Sequence, residues 1–165
     1  HPNARTIEDM PLDKYMGPAV LLDLRGVARS QNPISVADLQ PATGAPDSLE
    51  NKIVVLFTSW TERESGGPRF YSHAPYLSIE AAEYLVQSEV KAVAMDFPLD
   101  QPPATPQSTM KDFPVTRLLL GENIPLIQAL INLDKLVGRD FELWALPMKI
   151  KHGDGAATRA VARIL

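Results

Sequence analysis

Five apolar segments stand out along the chain, and three of them are short runs without polar alternation, the pattern of strands covered on both faces. The run Ala-Val-Leu-Leu-Asp-Leu at 19–24 lies between Gly17-Pro18 and Arg25-Gly26, turn formers on either side, and is predicted to be a buried strand. A second, β-branched run covers 52–58 and a third covers 90–96. Segments 141–150 and 158–165 are predicted as a fourth and a fifth strand. Between the second and third runs the period changes. Ser78 is a suitable N-cap, Glu80 suits a first helical turn, and Ala81, Ala82, Leu85 and Val86 recur at helical spacing. Strand, helix and strand over 53–95 therefore predict a β-α-β crossover. One earlier helical turn is expected at 35–39 and a later helix over 126–136. Pro98, Pro102, Pro103, Pro106 and Pro114 fall in one stretch, which is expected to be a loop.

Composition narrows the class. The chain has 165 residues, 45% hydrophobic and 22% charged, as in one ordinary folded domain. The formal charge is −4, and no basic stripe is present that could track a phosphate backbone, so nucleic acid is not an expected partner. The apolar runs are far shorter than the roughly 20 residues that would cross a bilayer, so no membrane span is expected. The absence of cysteine excludes a disulfide framework, a thiolate zinc site and a Cys nucleophile from this chain. A cytoplasmic location is the expectation.

Candidate chemistry is sparse. His1, His73 and His152 are too scattered for any metal-ligand spacing, and each is more often a loop residue than a ligand. Asp96 and Asp100 stand at the end of the third strand and in the following loop, where sheet proteins often place functional groups, although capping of turns is the more common use. Gly153 and Gly155 read as a β-turn rather than a phosphate loop. Trp144 alternates inside a strand and is expected in the core. Trp60 leads from a buried strand into the polar segment 61–67, a place suited to a ligand pocket or to a lid over the core.

Several segments taken together are more specific. Residues 7–20 resemble the cyclase family's short turn ending in Gly-Pro before a strand. Phe57-Thr58-Ser59-Trp60 resembles that family's R-T-G-W, with Phe57 in the place of Arg. Residues 77–85 resemble its G-L-S-x-E-A-A-x-x-L helix, and Asp96-Phe97-Pro98-Leu99-Asp100 its D-x-x-S-x-D turn. Residues 113–120 are similar to F-P-x-H-x-x-L-L, 124–134 to I-P-x-x-E-N-L-x-N-L-D, 145–150 to A-L-P-L-K-I, and 153–162 to G-x-G-x-P-x-R-x-V-A.

The resemblance, which runs from Thr6 nearly to the C-terminus, implies an α/β fold of the swivelling β/β/α kind with a mixed sheet and a homodimeric or larger assembly. It also implies hydrolysis of amide, lactam or formamide bonds in a small, aromatic molecule, as in kynurenine formamidase and isatin hydrolase. The family's H-x-G-T-H-x-D-x-P-x-H signature, which carries metal ligands and a catalytic His, would precede His1. The chain is therefore expected to be one domain, 1–165, that lacks the N-terminal metal-motif segment, with His1, Pro2 and Asn3 in a loop.

Two departures bear on the metal. The His and Glu that complete a second zinc site in di-zinc members are replaced by Thr116 and Gln128. Thr is a poor zinc ligand and Gln is neutral, so one divalent metal, Mn or Zn, is expected in the intact protein. Gln128 would lend it an oxygen and Thr116 at most a hydrogen bond to a ligand. Trp60 and Phe57 are expected to form an apolar wall for the substrate. The competing expectation is an inactive relative that keeps the fold as a binding or scaffold protein.

Overall fold

The computed structural model describes residues 5–42, 48–102 and 109–165. His1, Pro2 and Asn3, and with them Pro103 and Pro106 of the Pro-rich stretch, lie outside the described residues.

Six strands form one mixed sheet. In chain order they are β1 (Met16–Asp23), β3 (Ile53–Phe57), β5 (Ala92–Met95), β6 (Leu126–Ile127), β7 (Phe141–Trp144) and β8 (Val161–Ile164). Their spatial order is β6-β5-β3-β1-β7-β8, parallel from β6 to β1 and antiparallel from β1 to β8. β2 (Pro33–Ile34) and β4 (Tyr76–Leu77) make a separate short parallel pair.

All five predicted strands are present, four at shortened limits, while the first begins three residues earlier than expected, at Met16, and is half-buried along most of its length rather than buried. The two continuous runs at 53–57 and 92–95 are buried at every position. The cause is a covering layer on each face. Leu22, Val54, Leu56, Val93 and Met95 point to one side and pack against α1 (Val36–Ala42), α3 (Ile79–Gln87) and α4 (Pro114–Gly121). Ile53, Val55, Phe57, Ala92 and Ala94 point to the other side and pack against Tyr15, Leu130, Leu133 and Leu136.

The helix at α3 follows its sequence signals. The Ser78 hydroxyl accepts from the Ala81 N–H at 3.1 Å, while Ala81, Ala82 and Leu85 are buried. The helix expected over 126–136 is not formed. Leu126–Ile127 joins β5 as an edge strand, Ala129 and Asn132 adopt left-handed φ values of 58° and 60°, and only a 3-10 turn at Leu133–Leu136 remains. Strand pairing here outweighs a helical apolar pattern. The polar segment after Trp60 differs in the opposite sense, since Trp60–Glu64 is a short helix, α2.

Trp144 is also corrected: it is 46% exposed rather than in the core. Its cross-strand neighbours Met16 and Val161 are exposed with it, so among the described residues this face of β7 is open to solvent.

Candidate functional site

The C-terminal ends of β3 and β5 lie side by side, and two buried carboxylates are set just beyond them. Asp96 follows β5 directly. Its Oδ1 accepts from the Thr58 N–H at 2.9 Å and the Thr58 hydroxyl at 2.8 Å, and its Oδ2 accepts from the Trp60 N–H at 3.1 Å. Its carbonyl oxygen accepts from the Thr61 N–H at 2.8 Å. Ser59, the residue before α2, has φ 60° and no capping hydrogen bond from its own side chain. Asp96 therefore caps α2 from across the sheet. Burial raises its carboxyl above the usual value, with the bonds from Thr58, Ser59 and Trp60 acting in the opposite direction.

Asp100 does the same for α4. Its oxygens accept from the Val115 N–H at 2.8 Å, the Thr116 N–H at 3.2 Å and the Thr116 hydroxyl at 2.5 Å. Phe113, at the start of α4, offers no side-chain cap, and Pro114 occupies the first turn, where its missing N–H costs nothing. Burial again pushes the Asp100 carboxyl up, offset by these same bonds. Both aspartates thus serve as caps for helices rather than as free acids.

Thr116 and Gln128, far apart in sequence, line one pocket of about 190 Å³. Phe97, Pro98 and Leu99 contribute from the loop after β5, Phe113 from the start of α4, and Phe70 and Tyr71 from the loop after α2. The Phe70 and Tyr71 rings meet edge to face, with centroids 4.8 Å apart. Gln128 is exposed at the rim. The pocket is thus aromatic with a few neutral polar groups, and its one carboxylate, Asp100, is held by α4.

Phe57 and Trp60 lie elsewhere. Phe57 is 1% exposed and Trp60 is 3% exposed, and neither lines this pocket. Phe57 ends a strand covered on both faces, and the Arg25 guanidinium lies 4.7 Å from its ring centroid while pairing with Asp23. Trp60 turns inward, and its indole N–H donates to the Phe70 carbonyl at 2.9 Å. It therefore supports the pocket wall from behind. Neither described histidine takes part: His73 Nδ1 lies 2.8 Å from the Ser72 hydroxyl, and His152 is an exposed neighbour of Glu8, while His1 is outside the described residues. No periodicity marks Phe70 and Tyr71, and the adjacency of two aromatics shortly after Gly66-Gly67-Pro68 is the only sequence signal for them.

As a metal centre, this donor set is incomplete. Among the described residues no group of three or more His, Cys, Asp or Glu is placed to hold an ion. The Thr116 hydroxyl donates to Asp100, both Asp100 oxygens accept from α4, and Gln128 can offer one neutral oxygen. The described residues do not by themselves fit a divalent metal.

Comparison with known proteins gives a consistent picture. A family model described as "Putative cyclase" matches residues 1–99. The kynurenine formamidase of Erythrobacter litoralis is 32% identical over 158 residues, covering 94% of this chain and 64% of that protein. The kynurenine formamidase of Salinibacter ruber is 30% identical over 156 residues, covering 94% and 66%. Among solved structures, isatin hydrolase A from Ralstonia solanacearum superposes with a TM-score of 0.79 at 24% identity, over 96% of this chain and 64% of that one. A structure described as a potential metal-dependent hydrolase with cyclase activity superposes with a TM-score of 0.70 at 22% identity, over 94% and 69%. These likenesses show the α/β fold with its mixed sheet. The chain spans somewhat under two thirds of the length of the first of these relatives.

Proposed function

The chain belongs to the cyclase family, and from that premise we propose that the whole protein hydrolyses a C–N bond in a small aromatic amide, lactam or formamide. One observation carries the reading. Thr116 and Gln128, at the positions where the family pattern has metal-site residues, line the same aromatic pocket beyond the C-terminal ends of β3 and β5.

In this reading the chain supplies the substrate's container. Phe70, Tyr71, Phe97 and Phe113 offer ring faces and edges to a flat substrate and keep water from it. The Gln128 carboxamide can donate to a carbonyl and accept from an amide N–H. The Thr116 hydroxyl donates to Asp100 and retains lone pairs to accept a bond. The catalytic residues and most of the metal ligands belong to the family motif that precedes this part of the fold, and the expected metal count is one Mn or Zn per subunit, with Gln128 the single oxygen donor from this chain. A homodimer or larger assembly in the cytoplasm completes the proposal. No helix among the described residues is long and apolar enough to cross a membrane.

The test is elemental analysis of the full-length protein together with its hydrolysis of formanilide, a simple aromatic formamide. One metal per subunit and measurable turnover support the reading. Thr116→His with Gln128→Glu, which restores an imidazole and a charge, should raise the content toward two. Two metals in the unmodified protein would show that the site is misplaced. Absence of both metal and turnover would favour the alternative of an inactive relative that binds without reaction, which the engagement of Thr116 and Asp100 in capping α4 also suits.

A further inference from the structure

We propose that α2 is a strut that fixes the separation of the pocket's two walls, with Glu62 and Trp60 as positioning residues. This inference rests on the reading of the aromatic pocket as the substrate site.

The two walls come from loops, which have little rigidity of their own. One wall is Phe70–Tyr71 and the other is Gln128–Ala129. α2 is bonded to the first directly and to the second through Asn132, three residues beyond Ala129. The Trp60 indole N–H donates to the Phe70 carbonyl at 2.9 Å, and the Glu62 carboxylate accepts from the Asn132 N–H at 2.8 Å. A helix of five residues has no stability of its own in water. This one is fastened to the sheet by Asp96, whose carboxylate and carbonyl together accept from Thr58, Trp60 and Thr61. Both walls are thus tied to one anchored element.

The Gln128 side needs such a tie. Ala129 and Asn132 are both left-handed, with φ 58° and 60°, a conformation that a non-glycine residue holds only when its surroundings impose it. One restraint is the Leu130 N–H bond to the Met95 carbonyl at 3.1 Å, inside the core. The second is Glu62. Its side chain is exposed, so its removal strands no buried group and loses the tether together with a Coulombic attraction to Arg25.

The experiment compares full-length protein with Glu62→Ala, Glu62→Gln and Trp60→Phe. Two quantities are measured: the dissociation constant for formanilide, and amide hydrogen exchange at residues 128–132. Glu62→Ala should weaken formanilide binding about fivefold and speed exchange at Leu130 and Asn132, with Tm within about 2 °C of the parent. Glu62→Gln retains an acceptor oxygen and should stay within about twofold of the parent. Trp60→Phe loses the N–H and part of a buried ring system, and should weaken binding with exchange at 128–132 unchanged. Unchanged binding and exchange in Glu62→Ala would overturn the inference, as would an equal loss in Glu62→Gln. If the unmodified protein binds no formanilide, the substrate reading fails and exchange alone decides. Faster exchange in Glu62→Ala than in Glu62→Gln then supports the strut, and equal exchange overturns it.

Discussion

The parallel and antiparallel halves of the sheet obey different constraints. In β3 and β5 every residue is buried, because helices cover one face and the 130–136 segment with Tyr15 covers the other. In β8 no residue is buried, and Met16, Trp144 and Val161 form one apolar row across β1, β7 and β8 that is 38%, 46% and 56% exposed. All pocket residues lie on or beyond the parallel half. Strand ends held from both faces place a side chain within narrow tolerances, whereas a strand solvated on one face tolerates displacement. The candidate site is therefore built from loops that spring from the most constrained part of the sheet.

That contrast can be tested by substitution, measured by urea unfolding. The largest effect is expected from Leu56→Ala in β3, which opens a cavity in a fully buried layer and should cost about 3 kcal/mol. A loss below about 1 kcal/mol would mean the parallel half is looser than its burial suggests.

Asp96→Asn comes next, at about 2 kcal/mol, because an amide NH₂ would face the Trp60 N–H that Oδ2 now accepts. This variant also carries a pH signature. Burial raises the Asp96 carboxyl above its ordinary 3.8, so between that value and the folded one the native state holds a proton that the unfolded chain has released. Stability then falls as pH rises through this window and levels off above it. Asp96→Asn should lessen that fall, leaving the share due to Asp100, whose carboxyl is raised in the same direction, and an unchanged pH dependence would contradict the assignment.

Ala129→Gly relieves a left-handed φ and should stabilise by about 1 kcal/mol. A destabilisation there would mean the loop after β6 is not strained. On the antiparallel half, Trp144→Ser should cost less than about 1 kcal/mol, the share of its cross-strand packing on Met16 and Val161. A cost above about 2 kcal/mol would show that the exposed row is covered by something in solution.

The halves also differ in how far they can be read from sequence. Runs without polar alternation, as at 53–57, identify a doubly covered strand by themselves, and Ser78 announces α3 by a local capping rule. β6 and α2 could not be read locally. At 126–136 the apolar spacing suits a helix, and pairing with β5 decides the outcome. At Trp60 the helix start is set by Asp96, thirty-six residues away, and a cap contributed at that range leaves no local signal. The same applies to the site. The position of Thr116 and Gln128 was legible only through family resemblance, whereas the inward turn of Trp60 depends on the Phe70 carbonyl, which no spacing rule locates. Trp144 departs from the core because alternation tells that one face of β7 is buried but not whether the other is covered.

The most direct test of the account is a titration of the isotope-labelled full-length protein with formanilide, followed by amide chemical shifts. The account predicts perturbations at Phe70, Tyr71, Phe97, Leu99, Thr116 and Gln128, with β7 and β8 silent. Perturbations centred on Trp144 and Val161, with the aromatic pocket unchanged, would contradict it.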